Sequence, residues 1–150
     1  MEIVEFEPVH AAAFKALNEL WISKYFTLEA KDREVLDDPQ GKIVAPGGRI
    51  FMALRDGEAV GCAALMKMAD GGYEVAKMTV SETLRGSGLG RRLMQRCIDA
   101  GAEMGATRLY LETNASLAPA LGLYRAMGFS DLAPMETPYA RADVFMERPY

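Results

Sequence analysis

The spacing of hydrophobic positions changes several times along the chain, and each spacing predicts an element. Apolar and acidic residues alternate from Glu2 to Glu7, which is typical of a short strand. Apolar residues then recur at helical spacing over Val9 to Lys24, so this segment is predicted as a helix. Its apolar stripe consists of Phe14, Leu17, Leu20 and Trp21. A more charged helix is predicted over Leu28 to Asp37, ended by the Pro39 and Gly41 turn.

The middle of the chain has the pattern of a three-stranded antiparallel meander. Apolar runs cover Ile50 to Leu54, Ala59 to Met68 and Tyr73 to Val80. Asp56-Gly57 separates the first two runs and is a strong signal for a two-residue hairpin turn. Asp70-Gly71-Gly72 turns the chain again before the third run.

The second half alternates helices with strands. A loop over Ser81 to Gly90 leads into a helix that begins at about Leu89 and runs to about Met104. The strand Thr107 to Thr113 follows that helix, so it is predicted to run parallel to Tyr73–Val80. Ser116 is placed to cap a helix that ends near Met127 and Gly128, and a last strand covers Ala142 to Glu147.

Composition and length indicate one domain over residues 1–150 of mixed α/β class, which is not doubly wound. The net charge of −4 disfavours a nucleic-acid partner. No apolar run approaches the ~20 residues that span a bilayer, and the amino terminus is acidic, so we expect no membrane partner and a cytoplasmic protein. With one histidine and two isolated cysteines, we expect reduced thiols, no metal site and no histidine-dependent hydrolase.

Three glycines in five residues mark the segment Arg85 to Arg91 as a candidate anion site. Glycines allow positive φ and close approach to the backbone, and the following helix directs its free amides and positive dipole end to the same place. Arg85 and Arg91 add charge that suits a diphosphate. The spacing fits neither a P-loop nor a dinucleotide fingerprint. The alternative is a flexible helix start that binds nothing.

Three motifs in order resemble the GNAT acetyltransferase family over nearly the whole chain. Arg85-Gly86-Ser87-Gly88-Leu89-Gly90 is similar to its signature Gln/Arg-x-x-Gly-x-Gly/Ala, "YEVAKMTV" (Tyr73–Val80) to its fourth strand, and "LYRAMGF" (Leu123–Phe129) to its second hallmark helix. The resemblance implies a mostly antiparallel sheet of about six to seven strands with a central splayed parallel pair, flanked by about four helices. It also implies acetyl-CoA, or another acyl-CoA, as donor.

The resemblance further implies which residues hold the donor. Backbone groups near Met78 and Val80 would pair with the pantetheine arm as an added strand would. Many relatives carry an asparagine where this chain has Leu117, so Asn114 or Ser116 is a candidate substitute. The expected donor site consists of Met78, Thr79, Val80, Arg85, Gly86, Ser87, Gly88, Leu89, Gly90, Arg91, Asn114, Ser116, Leu117 and Ala120.

Two residues are candidates for proton transfer. Tyr124 matches the family tyrosine that protonates the departing thiolate; the alternative is a core aromatic residue. Strand alternation is expected to put Glu74 on one face with Ala76, Met78 and Val80, where apolar neighbours would raise its pKa to that of a base. The alternatives are a solvated carboxylate at Glu74 and a base that acts through a chain of water molecules.

Family geometry implies an acceptor pocket walled by the first two helices and the final hairpin. Its candidate residues are Trp21, Tyr25, Phe26, Glu29, Tyr139 and Arg141. Arg141, read as part of the last strand, is a candidate partner for an acidic group of the substrate. The predicted activity is direct acetyl transfer to a primary amine of a small molecule or peptide in a ternary complex, by a homodimer as in many relatives. The alternatives are a non-catalytic acyl-CoA sensor and a protein acetyltransferase.

Overall fold

The computed structural model describes all 150 residues, which form one seven-stranded mixed sheet with helices on both faces. The strands are β1 (Glu2–Glu5), β2 (Arg49–Arg55), β3 (Glu58–Lys67), β4 (Tyr73–Val80), β5 (Arg108–Thr113), β6 (Ser130–Asp131) and β7 (Val144–Pro149). Their order across the sheet is β1-β2-β3-β4-β5-β7-β6. Only the β4–β5 pair is parallel.

Four α-helices cover the sheet, in agreement with the predicted number. They are α1 (Ala11–Tyr25), α2 (Ala30–Asp37), α3 (Leu89–Glu103) and α4 (Ala118–Ala126). The apolar faces of α1 and α2 pack on one side of the sheet around Phe14, and those of α3 and α4 pack on the other side around Leu93. Three further helical turns are too short for the hydrophobic pattern to predict. They are 3-10 turns at Pro8–His10 and Glu82–Leu84 and a π turn at Gln40–Val44.

The meander that the sequence predicts is confirmed. Asp56 and Gly57 both adopt positive φ, 52° and 78°, as the tight turn between β2 and β3 requires. The bounds of β4 are those predicted, and β5 runs parallel to it. Cys62 and Cys97 are unpaired and fully buried, as expected. No helix of the chain has both the length and the hydropathy needed to cross a membrane.

The predicted cap of α4 is wrong. Its N-cap is Leu117, which forms no side-chain capping bond, whereas Ser116 is exposed and lies one residue too early. The Ser116 amide instead donates to the Asn114 side chain at 2.8 Å and completes a turn at the end of β5. Such an Asx turn competes with helix capping for the same backbone groups.

A β-bulge in β4 overturns the expected alternation of that strand. Cys62 pairs with Thr79 and Ala64 with Ala76, so Ala63 faces two residues instead of one. One of these two, Lys77, takes a positive φ of 52°. Glu74 and Ala76 therefore lie on the α1 face of the sheet. Met78 and Val80 pack instead against the core on the α3 face.

The bulge coincides with an opening in the middle of the sheet. β4 and β5 are paired only at Tyr73–Leu109 and Glu74–Tyr110, after which the two strands diverge. The outer side of β4 from Val75 onward thus has no neighbouring strand. This gap between two parallel strands holds a cavity.

Candidate active site

A cavity of about 300 Å³ fills the gap between β4 and β5 and extends to α1 and α4. One part, the α4 half, is lined by Met78, Thr79, Val80, Arg85, Leu117, Ala120 and Tyr124. The other part, the α2 half, is lined by residues that include Trp21, Phe26, Lys31, Glu74, Lys77, Tyr139 and Arg141. The two halves meet at β4, whose bulge changes which residues face each side.

Free backbone amides lie in the glycine loop next to the α4 half, which Arg85 lines and residues 86–91 do not. Gly86 and Gly88 adopt positive φ of 77° and 87°, and nothing lies within 4 Å of where either Cβ would stand. The amides of Gly88, Gly90 and Arg91 form no hydrogen bond within the protein. They lie at the start of α3, where no helical turn precedes them to supply acceptor carbonyls. These amides and the positive end of the α3 dipole are suited to an anion.

Side-chain contacts fix this glycine loop to the end of α1. The Arg85 guanidinium donates to the Tyr25 hydroxyl and lies 5.1 Å from the centre of that ring. Lys24 pairs with Glu82 on the other side. The Ser87 hydroxyl donates to the Leu84 carbonyl and accepts the Leu89 amide at 3.4 Å, so Ser87 stabilises the turn before α3. Arg91 is exposed beside the free amides.

Tyr124 lies in the α4 half with a hydroxyl that makes no hydrogen bond within the protein. Its ring packs at 6.1 Å from the Phe129 ring, which is anchored in the core. Burial raises the pKa of the phenol to about 12, so it keeps its proton at neutral pH. The hydroxyl is therefore a proton donor that faces the cavity.

Glu74 lies in the α2 half, and its carboxylate has no hydrogen bond or ion pair within the protein. Burial raises its pKa from 4.5 to about 7, and the negative charge of Glu112 acts in the same direction, whereas Lys77 opposes both. A carboxylate with this pKa accepts and releases protons near neutrality. The burial of Glu74 was predicted correctly, although the residues that share its face were not.

Lys77, Arg141 and Asp32 form a buried charged cluster at the end of the α2 half. Lys77 donates to Asp32 at 2.7 Å, and Arg141 donates two bonds to the same carboxylate at 2.7 and 2.8 Å. Burial alone would raise the pKa of Asp32, yet the bonds from Arg141 and Lys77 lower it to about 2. Asp32 has no exposed surface. Arg141 also reaches Glu29 at 3.2 Å.

The prediction for Arg141 is therefore corrected. Arg141 lies in the segment before β7 rather than in the strand, and its guanidinium is occupied by two carboxylates of the protein itself. It does not present a free charge to an acidic ligand. Lys77 is occupied in the same way and also donates to the Tyr139 hydroxyl at 3.2 Å.

The structure brings most of the predicted pocket residues together. Trp21, Phe26, Tyr139 and Arg141 line the α2 half. Tyr25 lies outside the cavity under Arg85, and Glu29 lies behind Arg141, where it also accepts the Ala140 amide at 3.1 Å.

Asn114 and Ser116 are the weakest members of the predicted donor site. The Asn114 side chain lines the cavity, but its amide donates to the Arg141 carbonyl at 2.7 Å and its oxygen accepts the Ser116 amide. Ser116 does not line the cavity. Neither side chain is free to substitute for the asparagine that Leu117 replaces, so this end of the cavity presents apolar contacts.

The sequence interpretation missed Asp32 and Lys77. A lysine in the interior of an apolar strand was a visible signal that a buried partner exists. Asp32 gave no such signal, since one acidic residue among the charges of α2 is typical of a solvated helix face. Only the fold brings α2, β4 and the segment before β7 together.

The cavity combines a proton donor, a proton acceptor and an anion site, which are the groups that acyl transfer from a phosphate-bearing carrier needs. Residues 14–129 match the family model of the acetyltransferase (GNAT) family. The chain belongs to this family of acetyltransferases.

Individual relatives agree with this assignment. An IAA acetyltransferase of Azospirillum brasilense is 40% identical over 110 residues, which cover 71% of this chain and 71% of that protein. An acetyltransferase of the GNAT family from Staphylococcus aureus superposes with a TM-score of 0.89 at 18% identity, covering 99% of this chain and 98% of the other. An acetyltransferase from Salmonella typhimurium, solved with its cofactor acetyl-CoA, has a TM-score of 0.79 at 20% identity over 99% and 93% of the two chains. The last two likenesses show the fold.

Proposed function

We propose that this protein transfers an acetyl group from acetyl-CoA directly to a primary amine within a ternary complex. The observation that carries the proposal is the joint placement of Tyr124 and Glu74, both without hydrogen-bond partners, in one cavity beside a loop of free amides. A non-catalytic acyl-CoA sensor would need the loop but neither side chain. No feature of the cavity favours that alternative.

The residues of the α4 half fit an acyl-CoA donor. The free amides of Gly88, Gly90 and Arg91 suit its diphosphate, and the Arg85 and Arg91 side chains add positive charge. The outer edge of β4 has unpaired backbone groups, on which the pantetheine arm would bind as an added strand does. Leu117 and Ala120 supply apolar surface opposite this edge. Bound there, acetyl-CoA supplies the acetyl group as an activated thioester.

Glu74 and Tyr124 move the two protons of the reaction. Glu74 takes a proton from the substrate ammonium, which frees the lone pair that forms the new C–N bond. A backbone amide near Val80, at the end of β4, stabilises the negative charge on the thioester oxygen. As the C–S bond breaks, Tyr124 gives its proton to the sulfur, and the free thiol of CoA leaves. The nitrogen of the new amide loses its second proton, which restores the Tyr124 phenol, and Glu74 releases the proton that it took to water after the products leave.

Replacing Tyr124 by phenylalanine tests the catalytic claim. We expect Tyr124→Phe to lower kcat by about 100-fold or more, the usual contribution of a positioned acid, with the Kd of acetyl-CoA changed less than about threefold. Thiol release measured with an amine panel and calorimetric titration give the two quantities. Tyr150→Phe is the matched control, because its hydroxyl donates to the Ile98 carbonyl away from the cavity.

The outcomes distinguish an acetyltransferase from a non-catalytic acyl-CoA sensor. Unchanged turnover in Tyr124→Phe would remove the tyrosine from the mechanism. A wild-type protein that binds acetyl-CoA but acetylates no amine or peptide would be a sensor, and the proposed function would fail.

A further inference from the structure

The positive charges that line the α2 half already have carboxylate partners within the protein. Lys77 and Arg141 are both bonded to Asp32, which is fully enclosed. A substrate carboxylate that displaced Asp32 from either cation would leave a buried charge without its partner, which is far more costly than the new ion pair would return. Lys31 pairs at 3.5 Å with Glu34 at a solvated rim.

The carboxylates that line the α2 half have no cationic partner in an ion pair. Glu74 has no hydrogen bond or ion pair within the protein. The nearby Glu112 accepts hydrogen bonds from the Tyr110 hydroxyl at 2.8 Å and from the Thr137 hydroxyl, which leave its charge in place. The α2 half therefore offers a site for a cation at Glu74 and no site for an anion.

The remaining wall of the α2 half is aromatic and apolar. The Trp21 and Phe26 rings lie 6.0 Å apart on the α1 side, and Tyr139 stands on the segment before β7. The Tyr139 ring is held by Lys77 at 4.7 Å and Arg141 at 4.5 Å, so it is a rigid surface. Flat apolar groups bind well between such walls. The volume of about 300 Å³, shared by both halves, is that of a site that suits a small-molecule acceptor.

We infer that the acceptor is a small primary amine carried on an aromatic or similarly flat apolar body, with no acidic group. This inference rests on the proposed acetyl transfer and specifies its substrate class. The ammonium binds at Glu74, and the flat body lies against Trp21, Phe26 and Tyr139.

The direct test compares acceptors that differ in one group. We expect phenethylamine to exceed phenylalanine, which differs from it by a carboxylate, by about 100-fold or more in kcat/KM. Equal or better turnover of phenylalanine, or activity on peptides alone, would overturn the inference and leave acetyl transfer standing. Acetyl-CoA binding without acetylation of any acceptor would overturn both.

Variants assign the effect to the cavity. We expect Trp21→Ala to lower kcat/KM for phenethylamine about tenfold or more and to leave the value for propylamine nearly unchanged, because only the larger amine reaches the indole. Leu20→Ala is the control, since Leu20 lies on the same helix but is 71% exposed. An equal loss for both amines in Trp21→Ala would contradict the inference.

Charge removal supplies a second readout. Asp32→Asn frees Lys77 and Arg141, so we expect the ratio of kcat/KM for phenylalanine to that for phenethylamine to rise by about tenfold or more, a change that a merely structural role of Asp32 would not produce. Should this variant fail to fold, Glu29→Gln frees part of Arg141 alone and is expected to shift the ratio in the same direction. A ratio unchanged in the folded variants would contradict the charge argument.

Discussion

Burial favours the neutral form of both titratable groups that we place in the reaction. Tyr124 keeps its proton because its pKa is raised to about 12, whereas Glu74 is brought to a pKa of about 7 and is partly ionised at neutral pH. The same physical cause thus leaves a protonated phenol in one half of the cavity and a carboxyl group that titrates near neutrality in the other. Glu112 and Lys77 are the charged neighbours that adjust Glu74, in opposite directions.

The pKa of Glu74 predicts the pH dependence of the reaction. We expect kcat/KM to rise with pH up to about 7 and then to level off, because the free base is the ionised carboxylate. Glu74→Gln should lower kcat by about 100-fold or more and remove this rise. Initial rates from pH 5.5 to 9 measure both. A wild-type profile without an inflection near 7 would indicate a base other than Glu74.

Stability gives an independent check on the same residue. The folded-state pKa of Glu74 lies above its ordinary value of 4.5, so the folded protein binds the extra proton between pH 4.5 and about 7 and loses stability as pH rises through that window. Glu74→Gln lacks this loss. The difference in free energy of unfolding between the variant and wild type should therefore shift in favour of the variant, by up to about 3 kcal/mol, when the pH is raised from 4.5 to 8. Urea unfolding at the two pH values tests the sign.

At the scale of single residues, the sequence identified candidates only at positions that a motif or a strand pattern marks. Tyr124 became a candidate through its place in the resemblance, and Glu74 through its place in the resemblance together with strand alternation. The partner of Arg141 could not be found, because Asp32 is 109 residues away along the chain. The order of elements also gave no indication that α2 and the segment before β7 meet.

The two elements that shape the site differ in how well a pattern predicts them. The start of α3 follows from local rules, since glycines that tolerate positive φ precede a strongly amphipathic helix. The bulge in β4 does not, because it depends on pairing with β3 and on a left-handed Lys77 whose side chain is held by Asp32. Strand alternation was therefore correct up to Ala76 and wrong beyond it.

Gly88 tests the role of the helix start. Its φ of 87° is strained for any residue with a Cβ, so Gly88→Ala should cost about 1–2 kcal/mol in stability. It should also weaken acetyl-CoA binding about tenfold or more, because relaxation of φ redirects the amides that follow. Thermal unfolding and calorimetric titration measure the two effects.

Gly122→Ala is the matched control for that substitution. Gly122 lies inside α4 with open space around it and no positive φ, so alanine should raise stability by about 0.5–1 kcal/mol and leave donor binding unchanged. If Gly88→Ala bound acetyl-CoA as tightly as Gly122→Ala does, the amides of the loop would not hold the diphosphate.

At the scale of the whole molecule, the two halves of the cavity meet at one break in the sheet, where β4 and β5 separate. Five of the six strand pairings are antiparallel, while the single parallel pair, β4–β5, separates after two residues and opens the cavity. Sequence predicted the parallel pair from the helix between its strands. It predicted the splaying only through the family resemblance, since nothing in the local pattern of β5 marks where its pairing with β4 stops.

Transfer of labelled acetyl from donor to acceptor is the most direct test of the central claim. The purified protein is incubated with acetyl-CoA deuterated in its methyl group and with phenethylamine, and the products are identified by mass spectrometry. We predict that the label appears as the amide of the amine, in equal amount to the free thiol of CoA. Label that stays on CoA, or that appears only as acetate while the amine is unchanged, would contradict the account.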